Sequence, residues 1–288
     1  MVQYACHHIG LVLVNINPAY RQHELNYVLE KAGVRMVFAA RRYKDSDYRT
    51  MLIEASKQRG VRLDKVIYFG SSEWYEHMHS EIDDLSEYTS QLKPDDPINI
   101  QFTSGTTGFP KGATLTHRNL LNNGYFIGEL LGYTETDRIC VPVPFFHTFG
   151  MVIGTFAAFT HGAAIVIPAP SFKARETLKA VHSAKATSLY GVPTMFINEL
   201  EEAHDQEEYG SPYDLSLLRT GVMAGTSCPS KTMRDVMDKL NMREIAICYG
   251  MTETSPVSFQ TRADSPLEKR VNTVGPVSYT HLTLPTNR

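Results

Sequence analysis

The stretch Thr103-Ser104-Gly105-Thr106-Thr107-Gly108-Phe109-Pro110-Lys111-Gly112 packs four hydroxyl side chains, three glycines and one lysine into ten residues. It directly follows the apolar run Ile98-Asn99-Ile100-Gln101-Phe102. Glycines let a backbone approach a ligand closely and adopt positive φ. Successive backbone N–H groups can then form an anion-binding nest. Hydroxyls donate to phosphate oxygens, and a lysine adds a compact positive charge. The composition therefore suits a polyphosphate. It is not a Walker A loop, which needs G-x-x-x-x-G-K-[ST]. Here Gly105 and Gly108 are three apart, Lys111 follows a proline, and Gly112 stands where Ser or Thr would be required. The plainer reading of such a composition is a flexible Gly/Thr linker.

Outward from this loop the periodicity alternates between strand-like and helix-like. Upstream, residues 35–39, 65–69 and 98–102 read as strands, and residues 23–31 and 46–58 as helices. Residues 70–96 are polar and acidic and read as helix and loop. Downstream, Thr116 is a candidate N-cap for a helix over 117–131, with Leu120, Ile127 and Leu131 on its apolar face. Strands are expected at 139–143, 163–167, 187–192, 218–223 and 244–249, and helices at 172–183, 193–202 and 229–240. Residues 204–213 read as a polar break. This alternation predicts an α/β layered fold with parallel-rich sheets and flanking helices. In such sheets ligands sit outside the carboxyl ends of strands. The segments starting at Thr103, Pro144 and Tyr249 each begin where a predicted strand ends, so all three are expected to share one sheet edge.

Bulk properties exclude several classes. The chain of 288 residues is 42% hydrophobic and 20% charged, with a formal net charge of −3, so no basic excess suggests a nucleic-acid surface. The cluster Arg41, Arg42 and Lys44 reads as a solvated face. Cys6, Cys140, Cys228 and Cys248 form no C-x-x-C pair, which argues against a zinc site and for reduced thiols in a cytosolic or organellar compartment. Residues 151–168 form the longest apolar region, but Thr155, Thr160, His161 and Gly162 interrupt it. It reads as a core helix plus strand, and no transmembrane segment is expected.

The ordered motif T-S-G-T-T-G-x-P-K-G resembles the phosphate-binding signature of the adenylate-forming enzymes: acyl- and aryl-CoA synthetases, firefly luciferase and peptide-synthetase adenylation domains. Pro144-Phe145-Phe146-His147-Thr148-Phe149-Gly150 is similar to that superfamily's P-x-x-H-x-x-G segment, and Tyr249-Gly250-Met251-Thr252-Glu253 matches its Y-G-x-T-E motif. The resemblance implies the fold of the family's N-terminal domain and two cosubstrates, ATP and coenzyme A, with Mg²⁺. It implies that Thr103, Ser104, Gly105, Thr106, Thr107, Gly108 and Lys111 wrap the β- and γ-phosphates. Gly225, Thr226 and Ser227 would lie against adenine, and Tyr249 with Gly250 beside it. Thr252 would hydrogen-bond the α-phosphate and Glu253 would hold the metal. His147 would line the route between nucleotide and acyl group. Read from residue type alone, Thr252 and Glu253 are a helix N-terminal cap pair, and His147 a packed histidine among aromatics. Cys228 is read as structural.

Two further stretches, Met223-Ala224-Gly225-Thr226-Ser227-Cys228-Pro229 and Val14-Asn15-Ile16-Asn17-Pro18-Ala19-Tyr20, resemble the branch of fatty-acyl-CoA synthetases that handles medium-chain acids. Asn17 and Pro18 otherwise read as a turn. The expected activity is ATP-dependent activation of a fatty acid through acyl-AMP to acyl-CoA. An aryl-acid or peptide-synthetase-type enzyme and a non-catalytic nucleotide-binding module are the alternatives. The resemblance runs over roughly residues 2–275, so residues 1–277 are read as a partial N-terminal domain. Residues 278–288 match nothing in the family and read as a non-native tail. The family's ribose-binding aspartate and its C-terminal lid domain, with its catalytic lysine, have no counterpart here. The isolated chain is therefore expected to be inactive or impaired.

Overall fold

The computed structural model describes residues 1–81, 84–103 and 110–278. The chain forms two compact units, Met1–His117 and Arg118–Arg288. In the first, α1 (Val2–His8) leads to β1 (Leu13–Asn15), α2 (Gln22–Lys31), β2 (Met36–Ala39), β3 (Arg42–Tyr43) and β4 (Ser46–Asp47). Then follow α3 (Tyr48–Ser56), β5 (Lys65–Tyr68), α4 (Ser72–His79), α5 (Ser86–Thr89), β6 (Pro97–Thr103) and β7 (Lys111–Thr116). β2 pairs in parallel with β5, and Leu25, Leu29, Val37, Leu52, Ala55 and Val61 form the core around them. The turn expected at Asn17 and Pro18 is present: Tyr20 N–H donates to Asn17 O at 3.0 Å and Ala19 N–H to Asn17 Oδ1 at 2.9 Å.

Two expectations change here. The helix expected over 46–58 begins only at Tyr48, because the Asp47 carboxylate accepts from Thr50 N–H at 3.1 Å and acts as the cap. The residues after Pro110, to which the sequence assigned no strand, form one. Lys111 opens strand β7, which pairs antiparallel with β6 in the register Thr103↔Lys111. The pattern Lys-Gly-Ala-Thr-Leu-Thr carries the period-2 signal, with Leu115 buried and Thr114 exposed.

The second unit is built on a six-stranded sheet in the order β13-β12-β11-β10-β8-β9. After α6 (His117–Leu130) come β8 (Arg138–Cys140), a π-helix (Phe149–Phe156), α7 (Ala157–Thr160), β9 (Ala164–Val166), α8 (Ala174–Ala184) and β10 (Ser188–Gly191). They are followed by α9 (Pro193–Tyr209), β11 (Thr220–Ala224), α10 (Ser230–Lys239), β12 (Glu244–Gly250), a one-turn 3₁₀ helix (Thr252–Thr254), β13 (Val257–Gln260) and α11 (Leu267–Asn272). β8 to β12 are mutually parallel, and β13 alone runs antiparallel, against β12. Every residue of β10 and β11 is buried, as expected of parallel strands covered on both faces. Alternate residues feed opposite cores: Val141, Tyr190, Val222 and Ala246 on one side, Cys140, Leu189, Met223 and Ile245 on the other.

Most of the polar break expected at 204–213 is helical: residues 204–209 belong to α9, which ends at Tyr209 and is followed by Gly210. Glu, Gln and Ala are good helix formers, and losing the apolar stripe there marks solvent exposure, not the end of the helix. α9 also holds an anomaly. Glu199 is fully buried beside Phe196, and neither carboxylate oxygen meets a hydrogen-bond partner among the described residues. Burial pushes its pKa well above the usual carboxylate range.

The amino edge of the parallel strands is tied together by Arg219, just before β11. Its guanidinium donates to both Asp137 carboxylate oxygens at 3.1 Å, to Glu244 Oε2 at 2.7 Å, and to the carbonyls of Leu131 at 3.2 Å and Gly132 at 2.8 Å. Thr187 Oγ1 and Thr134 N–H add donors to Asp137 at 2.6 and 2.9 Å. Burial alone would raise the Asp137 pKa. These hydrogen bonds and the Arg219 charge outweigh it and leave the carboxyl below its ordinary value.

Candidate functional site

Parallel strands bring their carboxyl ends to one edge, so the loops after β8, β10, β11 and β12 line the same side of the second unit. The register Ala224↔Cys248 sets Gly225 next to Tyr249. Gly225 has φ +93°, which only glycine adopts readily, and a Cβ there would lie 3.1 Å from Val192 Cγ1 at the end of β10. Gly225, Thr226 and Ser227 are exposed. Behind them Cys228 Sγ donates to Met223 O at 3.4 Å and Thr226 O at 3.5 Å, and burial pushes its thiol up to about 11. A thiol so held is a fastener, in keeping with its structural reading.

Tyr249 leaves β12 with 52% of its surface exposed, its ring tilted against Phe259 at 6.0 Å. Gly250 follows where a Cβ would overlap the Pro256 carbonyl. That carbonyl accepts from Met251 N–H at 3.0 Å and from Thr254 Oγ1 at 2.7 Å. Thr254 Oγ1 in turn accepts from Met251 N–H at 3.2 Å. Thr254, not the pair Thr252 and Glu253, therefore caps the 3₁₀ turn, and Ser255 closes it at φ 80°. Glu253 is exposed and Thr252 partly so.

His147 lies in the loop after β8, immediately before the π-helix. Its Nδ1 accepts the Phe149 backbone N–H at 3.0 Å, while the His147 backbone N–H donates to Pro144 O at 3.3 Å. An accepting Nδ1 assigns the proton of the neutral ring to Nε2. The side chain is exposed on one side and crowded by protein on the others, and this desolvation holds its pKa below the ordinary imidazole value. His147 is thus built as a neutral Nε2–H donor. π-Helical segments recur at functional sites; the core helix and strand expected over 151–168 are present as this segment with α7 and β9, and only the π winding had no sign in the sequence. Its approach is tight: a Cβ on Gly150 would come 2.5 Å from Pro144 O.

The Gly/Thr loop is placed differently from expectation. It connects the hairpin β6–β7 in a three-stranded sheet of the first unit, so it does not share the sheet edge of His147 and Tyr249. β6 pairs instead with β1 in parallel and with β7, an antiparallel strand not expected from the sequence. Ser104, Gly105, Thr106, Thr107 and Gly108 lie outside the described residues. Thr103 and Lys111 face each other at the hairpin stem, and Lys111 is exposed. Tyr27 on α2 meets both ends of the connection: its hydroxyl donates to Pro110 O at 3.1 Å and its ring stands edge-on to Phe102 at 6.4 Å. Residues 279–288, most of the segment read as a non-native tail, are also outside the described residues.

Among the described residues no group of three or more His, Cys, Asp or Glu side chains could hold a metal ion. Mg²⁺ needs no such group, since it commonly takes one or two carboxylates, substrate phosphates and water. Glu253 is an exposed carboxylate at the sheet edge. All four cysteines are free thiols, and no helix among the described residues is long and apolar enough to cross a membrane.

Comparison with known proteins finds a matching family, relatives and solved structures. The family described as AMP-binding enzyme matches residues 1–283. YngI of Bacillus subtilis (strain 168), provisionally named an acyl-CoA synthetase, is 41% identical over 296 residues, covering 95% of this chain and 53% of that protein. The rat mitochondrial medium-chain acyl-CoA ligase ACSF2 is 35% identical over 307 residues, covering 96% and 48% respectively. The crystal structure of ATP-bound MatB from Rhodopseudomonas palustris superposes with a TM-score of 0.78 at 25% identity, over 96% of this chain and 51% of that one. The chain spans about half the length of the curated relatives it matches.

Proposed function

We propose, for a chain that belongs to the AMP-binding enzyme family, that it carries the ATP site of an enzyme converting a medium-chain fatty acid to its acyl-CoA through acyl-AMP. One observation carries the reading. The glycine turn after β11 and the Tyr249–Glu253 segment after β12 are neighbours on one sheet edge, with His147 on a loop of that same edge. The names of YngI and rat ACSF2 support the acyl-CoA ligase reading, and the latter supports medium-chain acids.

A free carboxylate is a poor acyl donor because its leaving group would be oxide. In the first step a carboxylate oxygen bonds to the α-phosphorus of ATP and pyrophosphate leaves. In the second, the CoA thiolate bonds to the acyl carbon and AMP leaves. The attacking carboxylate has no proton to lose, so no general base is needed. Catalysis of the first step is positioning and neutralisation of two anions that repel. Gly225, Thr226 and Ser227 present backbone against the adenine, and exposed Tyr249 stacks beside it. Thr252 donates to the α-phosphate. His147, neutral, donates from Nε2 along the path of the carboxylate. Lys111 and the residues between it and Thr103 hold the β- and γ-phosphates. Mg²⁺ held by Glu253 would offset phosphate charge. For the 288-residue chain by itself we propose ATP binding with impaired turnover, since it spans only half the length of its relatives.

ATP–pyrophosphate exchange across a panel of carboxylic acids tests the reading, with CoA-dependent turnover measured in parallel. Exchange that depends on medium-chain acids is expected from the protein carrying this chain at its relatives' full length. Exchange driven by aryl acids would replace the substrate class. Nucleotide binding without exchange for any acid would leave a binding module. Robust CoA-dependent turnover by the 288-residue chain would overturn the impairment.

A further inference from the structure

The one-turn helix with Thr252 and Glu253 is short and exposed, yet a nucleotide site needs it fixed. Besides its own Thr254 and Pro256 contacts, its base meets a side chain 134 positions away in sequence. Asn123, in the interior of α6, uses both halves of its amide on one backbone residue: Nδ2 donates to Val257 O at 2.9 Å, and Oδ1 accepts Val257 N–H at 3.1 Å. Val257 is the first residue of β13 and pairs with Gly250 across the β-bulge between Tyr249 and Gly250. Residues 251–256, with Thr252 and Glu253 among them, are thus the whole connection between two paired residues. Gly250 and Val257 form its base, and Asn123 holds that base on one side. Val257 is 5% exposed, so its backbone groups have little water to turn to if the amide is lost.

The helix that delivers Asn123 is itself tightly seated. The next residue, Gly124, has no room for a Cβ, which would come 2.5 Å from Phe156 Cβ in the π-helix. That π-helix starts two residues after His147. α6 therefore touches the element following His147 at Gly124 and the base of the Thr252–Glu253 turn at Asn123. An asparagine in a helix interior is a poor helix former, and here its two-point contact accounts for it.

We propose that Asn123 is the positioning residue that sets the Thr252–Glu253 turn for Mg²⁺-ATP, acting through Val257 and touching no ligand itself. This role rests on the nucleotide reading above. Three proteins test it: wild type, Asn123→Ala, and Asn123→Asp, which keeps the acceptor for Val257 N–H and loses the donor. Amide hydrogen exchange of residues 251–257 is measured against the rest of the chain, and ATP affinity is measured by titration with and without Mg²⁺. In Asn123→Ala, exchange rises in 251–257 while the other strands of the sheet keep wild-type protection. Mg²⁺-ATP affinity falls about tenfold, which corresponds to about 1.4 kcal/mol. Metal-free ATP affinity falls less, because Glu253 is the group misplaced. Asn123→Asp lies between the two, and it carries the test if Asn123→Ala does not fold. Unchanged exchange in 251–257 overturns the proposal, as does unchanged Mg²⁺-ATP affinity with the turn loosened. A wild type that binds no Mg²⁺-ATP defeats the nucleotide reading and this role with it. The exchange data would still show whether Asn123 holds the turn.

Discussion

The two edges of the parallel sheet differ in how they use their polar groups. At the amino edge, Arg219, Asp137, Glu244, Thr187 and Thr134 engage one another and the nearby carbonyls in a closed network. At the carboxyl edge the backbone takes conformations that suit glycine, and Thr226, Ser227, Tyr249 and Glu253 face solvent. Parallel pairing produces the asymmetry: every strand in it enters at one edge and leaves at the other, so one edge can be tied shut while the other is left for a ligand. Stability and function should separate accordingly.

The strongest challenge to that separation is Arg219→Ala. Asp137 is 5% exposed at its side chain and Arg219 35%, so the change leaves a nearly buried carboxylate without its cation. A loss of about 3 kcal/mol in chemical denaturation is expected, below the upper figure for fully buried pairs because Arg219 is partly solvated. ATP affinity, read where the variant is still folded, should hold. The Asp137 pKa is depressed in the folded state, so its contribution is present above the unfolded carboxylate value and is lost as pH falls toward the folded one. The stability gap between wild type and variant should shrink in acid. A variant whose affinity collapsed with its stability would dissolve the distinction between the edges.

Gly250→Ala is the reciprocal test. The added methyl overlaps the Pro256 carbonyl and shifts the turn carrying Thr252 and Glu253. A displacement near 1 Å at a reacting centre can cost on the order of a hundredfold in rate, so pyrophosphate exchange should fall by about that factor in the full-length protein. Unaltered exchange would show that the turn is not at the chemistry. A smaller effect is expected at the hairpin of the first unit. Lys111→Ala removes an exposed side chain at the stem of the Gly/Thr loop. About a tenfold rise in the ATP concentration for half-maximal exchange is expected, with the melting midpoint unchanged. Identical ATP dependence would mean that the loop is no phosphate cradle.

Much of the parallel sheet was legible because its strands are apolar runs separated by helical periodicity, and the motifs at their carboxyl ends followed from that. Other elements left weaker traces. β7 has a single fully buried residue, Leu115, too little to mark a strand. The end of α9 has no apolar stripe because solvent surrounds it. The π-helix is buried along its whole length, so no polar face reveals its period. At the site, Gly225, Tyr249, Thr252 and Glu253 could be grouped from motif and strand end. Asn123 could not, since a side-chain amide that engages a strand 134 residues away leaves no local pattern.

Glu199 gives the fold an acid–base character of its own. Its carboxyl is held neutral by burial in the native state, while the unfolded chain carries it ionised above a pKa of about 4.3. Folding at neutral pH must therefore draw a proton from the buffer. A raised folded pKa means the contribution is fully present below the unfolded value and is lost as pH rises through the folded one. Glu199→Gln should remove this dependence, so the variant gains on the wild type as pH rises above the unfolded carboxylate value. The wild type's unfolding heat should also vary with the ionisation enthalpy of the buffer, and more strongly than the variant's. Equal dependence in both proteins would mean that the carboxyl is charged in the native state.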